Sequence, residues 1–229
     1  MQHRTVDELM TKKVVSVGPE TPFKEIVKEL AQNDVTAVPV VDAANRVVGV
    51  VSEGDLMCKS ADQPDPFGRL PVPCLEAWER VRAEGTRAEE LMSAPAVCAR
   101  PEWNVVEAAR LMAVEGVKRL PVVDEADRLV GVVSRGDLLR VFLRDDRAIR
   151  EEIVHDLLEC TLGLAPSAVA ADVTEGQVTL TGSVQDRGTI PVLVRLCRAV
   201  DGVVAVREHI VQQQQQERAG DSPPRRRSP

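Results

Sequence analysis

The sequence predicts an α+β chain in which two pseudo-symmetric β-α-β-β-α units form a tandem pair, followed by a smaller α-β-β-α-β unit. Three observations predict it. A shift of 82 positions superposes residues 7–57 on 89–139 without a gap, with about 23 of 51 pairs identical. Within each copy the apolar spacing switches between strand and helix periods. After Arg144 the pattern changes, and residues 145–211 share nothing with either copy. The boundaries are therefore 1–58 for repeat 1, 59–86 for an insertion, 87–144 for repeat 2, 145–211 for the third unit and 212–229 for a tail.

In repeat 1, Val14 to Val17 reads as a short apolar strand. Thr21-Pro22 offers a helix N-cap followed by proline at the first helical position, where its missing N–H costs nothing. Phe23, Ile26, Val27 and Leu30 then form one apolar face, repeated as Val105, Ala108, Ala109 and Met112 after Asn104. Val38–Val41 and Val47–Val51 are β-branched strands joined by Asp42-Ala43-Ala44-Asn45, and Asp124–Asp127 takes the same place in repeat 2. Ser52-Glu53-Gly54-Asp55 and Ser134-Arg135-Gly136-Asp137 each open a last short helix. The insertion is broken by prolines, then becomes helix-compatible from Cys74 to Glu84, where Trp78 either packs that helix down or anchors a lid or partner.

Composition narrows the function classes. Aromatic residues are 2% of the chain and Tyr is absent, which leaves no base-stacking platform. A net charge of −7 opposes attraction to phosphate backbones and anionic membranes, so nucleic acid is excluded as a partner. No apolar run reaches bilayer length and Met1–Met10 has no signal-type apolar region, so a cytoplasmic protein is expected. Five scattered cysteines without a CxxC suit reduced thiols, and three histidines without a catalytic or zinc motif give no metal site and no enzyme.

The doubled pattern of Leu-Met, x-Pro-Val-Val-Asp and Gly-Val-Val-Ser-x-Gly-Asp-Leu resembles a tandem pair of cystathionine-β-synthase (CBS) domains, a Bateman module. The resemblance implies adenine-nucleotide sensing, with AMP, ADP, ATP or S-adenosylmethionine as ligand, and a homodimer built through the pair. It gives Ser52 and Ser134, and Asp55 and Asp137, the role of holding ribose and phosphate. Read from the residues alone, Ser-x-x-Asp at a helix start is equally a capping box that satisfies orphan N–H groups without a ligand. Charge separates the copies: Thr36-Ala37 becomes Lys118-Arg119, and Glu53 becomes Arg135. The resemblance implies that the residues ahead of the x-Pro-Val strand and those after the first strand face the ligand, so the favoured phosphate-accepting site is Cys98, Lys118, Arg119, Pro121, Ser134, Arg135 and Asp137. The weaker site is Ser16, Thr36, Ala37, Pro39, Ser52 and Asp55.

In the third unit, Asp146 is expected to cap a helix carrying Ile149, Ile153 and Leu157. A hairpin through Val173–Val178, a helix over Asp186–Val200 and a strand Val203–Val206 follow. Val-Thr-Glu-Gly-Gln-Val-Thr-Leu-Thr-Gly-Ser-Val and Gly-Val-Val-Ala-Val-Arg resemble the BON domain, a module associated with phospholipid or surface binding. From Asp146 to Val211, ten acidic residues against six arginines make lipid the less favoured partner here. His155 and His209 are given no role, and the Gln- and Arg-rich tail is a polar low-complexity segment expected to be disordered. Two readings follow. In the first, a regulatory protein senses an adenine nucleotide and relays its state through the BON domain to a protein partner. In the second, a dimeric scaffold that no longer senses attaches through that domain to membrane lipid or an envelope partner.

Overall fold

A computed structural model of the chain describes residues 3–63, 67, 76–165 and 167–212, apart from the side chains of Ala77 and Trp78. The expectations for the proline-rich part of the insertion, for the side chain of Trp78 and for most of the tail lie outside the described residues. The chain divides into two units, His3–Arg140 and one from Val141 onward.

In the first unit, repeat 1 runs α1 (Val6–Leu9), α2 (Phe23–Gln32), β1 (Ala37–Val41), β2 (Val47–Ser52) and α3 (Glu53–Ala61). The insertion contributes α4 (Ala77–Glu84). Repeat 2 runs α5 (Ala88–Leu91), α6 (Val105–Val114), β3 (Arg119–Val123), β4 (Leu129–Ser134) and α7 (Arg135–Leu139). Each hairpin is antiparallel, with Pro39 opposite Val50 and Pro121 opposite Val132. Its turn is closed by an aspartate: Asp42 Oδ1 accepts from the N–H groups of Ala44 and Arg46, and Asp124 Oδ1 from those of Ala126 and Arg128, each at 2.9 Å.

The expected first strand of each repeat shrinks to a single parallel bridge, Val17 to Val40 and Ala99 to Val122. Gly18 N–H donates to Thr21 Oγ1 at 3.0 Å, and Pro19 has no N–H to give, so the ladder in repeat 1 cannot continue. The same bond removes Thr21 from the capping role: α2 begins at Phe23 with Pro22 as N-cap and no side-chain cap. Asn104 does cap α6, in a reciprocal box with Glu107. Ile26 and Leu30 are buried, and Phe23 packs against the same cluster, whereas Val27 is exposed at the edge of the stripe. In repeat 2, Val105, Ala108 and Met112 are buried and Ala109 is exposed.

The repeats exchange their leading segments. Ala88 N–H donates to Thr21 O (2.9 Å) and Ser93 bridges Val50, while Val6 N–H donates to Trp103 O (2.7 Å) and Thr11 bridges Val132. Ala88 and Leu91 thereby complete the core of repeat 1 with Val17, Ile26, Val38, Val51 and Leu56. Methionine fills the space over each strand glycine. A Cβ on Gly49 would stand 2.3 Å from Met92 Sδ, and one on Gly131 the same distance from Met10 Sδ.

The second unit holds a three-stranded sheet, β5 (Val169–Thr174), β6 (Gln177–Val184) and β7 (Ala205–Gln212), in which β5 pairs antiparallel and β7 parallel to the central β6. Glu175 and Gly176 turn the β5–β6 hairpin with φ of 51° and 70°. Helix α8 (Asp146–Glu152) runs on into a π-helical segment, Ile153–Thr161. Its cap is Asp145, whose carboxylate accepts from Arg147 N–H. Asp146 instead accepts from the N–H groups of Glu175 and Gly176 and so clamps the hairpin turn. Helix α9 is shorter than expected, Thr189–Arg198, and β7 begins later and runs longer. Ile149, Ile153, Leu157, Leu180, Leu193 and Cys197 lie in one aliphatic core.

Candidate functional site

The Ser-x-x-Asp motif closes the capping box in both repeats. Ser52 Oγ accepts from Asp55 N–H at 3.3 Å, and Asp55 Oδ2 accepts from Ser52 N–H at 2.8 Å and from its hydroxyl at 2.6 Å. Ser134 and Asp137 match this at 3.2, 2.9 and 2.6 Å. The box uses one carboxylate oxygen, Oδ2. In each copy Oδ1 is left for another partner, so a cap and a ligand site can coexist on the same residues.

Because the leading segments are exchanged, each cap faces loops of the other repeat. A cavity of about 320 Å³ is lined by Val50, Ser52, Glu53, Gly54 and Asp55 of repeat 1, together with 93, 95–97 and 116–119 of repeat 2, and by Thr36-Ala37. That volume lies within the range of small-molecule sites. A second cavity joins Val132, Ser134 and Asp137 to Thr11, Lys13–Val15 and Asn33–Ala37, with Pro39 and Arg119.

This grouping departs from the one read along the sequence. Lys118 lines the first cavity with Ser52 and Asp55 and is absent from the second, whereas Arg119, Thr36 and Ala37 reach both cavities. Both sets nonetheless adjoin their own caps: Arg119 pairs with Ser134 and Ala37 with Ser52 in the hairpins, and the Lys118 and Thr36 carbonyls accept from the N–H groups of Arg135 and Glu53, each at 3.0 Å. Arg119 lines both cavities, donating to Thr36 Oγ1 and, at 3.4 Å, to Ala37 O. Burial lowers its pKa, opposed by the nearby carboxylates of Glu53 and Asp137.

Ser16, Cys98, Pro121 and Arg135 line neither cavity. Arg135 turns its Nε to Val117 O at 3.1 Å. Cys98 donates to Ala96 O at 3.6 Å; burial, with Asp127 adding to it, pushes its thiol up to about 11, so it is not a nucleophile near neutral pH.

Sequence reasoning missed the loop 93–97, Gly116 and Val117 at the first cavity and their counterparts at the second. The 82-residue offset pairs the two sets, yet only the exchanged segments reveal which cap each set faces. It also missed Arg82. This α4 residue donates from Nη1 to Asp55 Oδ1 at 2.5 Å and from Nη2 to Ser93 Oγ at 2.9 Å. Having no counterpart in repeat 1, Arg82 carries no repeat signal.

The CBS domain family model matches residues 6–62 and 88–144, and the BON domain model matches 145–214. CBSX1, a chloroplastic CBS domain-containing protein of Arabidopsis thaliana, is 31% identical over 158 residues, 63% of this chain and 66% of its own length, just under two thirds. The crystal structure of CBSX2, also from Arabidopsis, in complex with AMP is similar with a TM-score of 0.53 and 31% identity, covering 61% of this chain and 96% of CBSX2. The CBS domain pair of protein MJ0100, in complex with 5′-methylthioadenosine and S-adenosyl-L-methionine, shares the fold at a TM-score of 0.50 and 21% identity, over 62% of this chain and 97% of that one. A tandem repeat on the CBS pattern, matched along nearly the whole of a solved CBS pair and continued by a BON domain, places this chain in the CBS-domain family.

Proposed function

We propose that the chain is a regulatory protein that binds an adenine nucleotide of the AMP, ADP or ATP class in the cavity between the Ser52–Asp55 cap and the loops 93–97 and 116–119. One observation carries this reading: a single cavity combines a capped aspartate with the cations of Lys118 and Arg119. Asp55 Oδ1 suits the hydroxyls of a ribose, and the two cations suit a phosphate. The CBSX2 complex with AMP, at 31% identity, supports the ligand class.

The cavity walls come from both repeats, so a nucleotide bound there favours the arrangement of the repeats that grips it best. In this reading the BON unit relays that state to a protein partner and the CBS pair forms a homodimer. The acidic surplus of residues 146–211 makes anionic lipid the poorer partner for the BON unit.

Isothermal calorimetry with AMP tests the assignment. Lys118 is exposed and the hydrogen bond described for it is made by its backbone carbonyl, so Lys118→Ala is expected to leave the fold unchanged. It is expected to weaken AMP about tenfold while adenosine binding is retained, since roughly 1.4 kcal/mol corresponds to a factor of ten. Asp137→Ala is expected to have the smaller effect. Equal AMP affinity in wild type and Lys118→Ala, or no AMP binding by the wild type, contradicts the proposal.

A further inference from the structure

Asp55 and Asp137 have the same cap but different neighbours at Oδ1. At Asp137 the nearest cation is Arg140, 3.5 Å away on a side chain that is 66% exposed. At Asp55 the Arg82 guanidinium lies 2.5 Å away, with the arginine side chain 19% and the carboxylate 8% exposed. Arg82 also reaches Ser93, so one guanidinium ties a lining residue of repeat 1 to one of repeat 2. The oxygen it occupies is the one the capping box leaves for a ribose.

Among the described side chains of α4 only Ala83 is buried, and Val81 is 65% exposed. The described anchors of the helix are polar: the Arg82 contacts and the bond from Lys59 Nζ to Ala83 O at 2.7 Å.

We infer that Arg82 is an autoinhibitory latch on the first cavity: it occupies Asp55 Oδ1 in place of a ribose, and a nucleoside entering the cavity displaces it and frees α4. The inference rests on the nucleotide site proposed above and adds its regulation. Helix α4 is then the element that changes when ligand arrives, and the latch lowers apparent affinity by the fraction of molecules in which it is closed.

Adenosine is the discriminating probe, because it competes with Arg82 for the carboxylate without offering a phosphate as an alternative partner. Calorimetry on the full chain compares wild type with Arg82→Ala and Arg82→Lys, alongside trypsin cleavage after Arg80, which is exposed on α4. The latch predicts that Arg82→Ala binds adenosine about tenfold more tightly. It also predicts that Arg82→Lys, which cannot hold Asp55 and Ser93 with one planar fork, falls between. In the wild type, saturating adenosine should speed cleavage after Arg80. Unchanged or weaker adenosine binding by a folded Arg82→Ala overturns the latch and leaves the nucleotide site standing. If Arg82→Ala loses the far-ultraviolet circular dichroism of the wild type, the wild-type cleavage decides: no acceleration by adenosine overturns the latch. Failure of both proteins to bind adenosine and AMP overturns the latch and the site together.

Discussion

Asp55 and Asp137 show how one residue type in one motif acquires two characters. Their caps agree within 0.1 Å in every hydrogen bond, yet Asp55 is held by a half-buried arginine and Asp137 by a distant exposed one. The cysteines diverge in the same way. Burial pushes the Cys197 thiol up to about 12 and Cys98 to about 11, while Cys160 is exposed. At pH 8 a maleimide should label Cys160 rapidly and Cys197 only on unfolding, as read by mass spectrometry of tryptic peptides; rapid labelling of Cys197 in the folded chain would refute its burial. The sign of the pH effect follows. The unfolded thiols ionise near their ordinary value of 9.0, where the folded ones still hold their protons. Stability is therefore undiminished below pH 9 and declines as the pH rises from 9 through 11. Chemical denaturation at pH 8 and pH 10 measures the difference.

At the scale of elements, the hairpins were the most legible part of the sequence. Their β-branched runs and Asp-started turns determine strand, turn and register together. Helix starts were less so: Asn104 caps as its type suggests, whereas Thr21 and Asp146 spend their oxygens on Gly18 and on the Glu175–Gly176 turn. Those alternatives depend on tertiary neighbours that local sequence does not display. The exchange of leading segments was the largest omission, and with it the partition of site residues between cavities. Leu-Met repeats visibly, but nothing local states that Met92 lies on Gly49 and Met10 on Gly131. Gly49→Ala forces a Cβ against Met92 Sδ, Cγ and Cβ at 2.3 to 3.0 Å and should destabilise the first unit by about 1–3 kcal/mol, as overpacking does. Urea denaturation tests this, with Gly54→Ala, whose Cβ would come no closer than 3.5 Å to Ser52 Oγ, as the comparison. Equal midpoints for the two variants would show that methionine yields the space freely.

For the whole molecule, the internal repeat made the pair of CBS units evident, and the altered periodicity marked off the BON unit. Site composition was not evident, because each cavity is assembled from both repeats. The exchange also makes the pair a single cooperative entity, since Ala88 and Leu91 complete the core of repeat 1. A ligand bridging the cavity thus acts on the pair as a whole. The insertion helix α4 touches the same cavity through Arg82, which connects the site to a segment outside the repeat. The most direct test of this account is a crystal structure of the full chain grown with AMP. The account predicts adenosine monophosphate between the Ser52–Asp55 cap and the loops 93–97 and 116–119, its ribose on Asp55, its phosphate by Lys118 and Arg119, and Arg82 withdrawn. AMP bound solely at Ser134 and Asp137, with Arg82 still on Asp55, would contradict it.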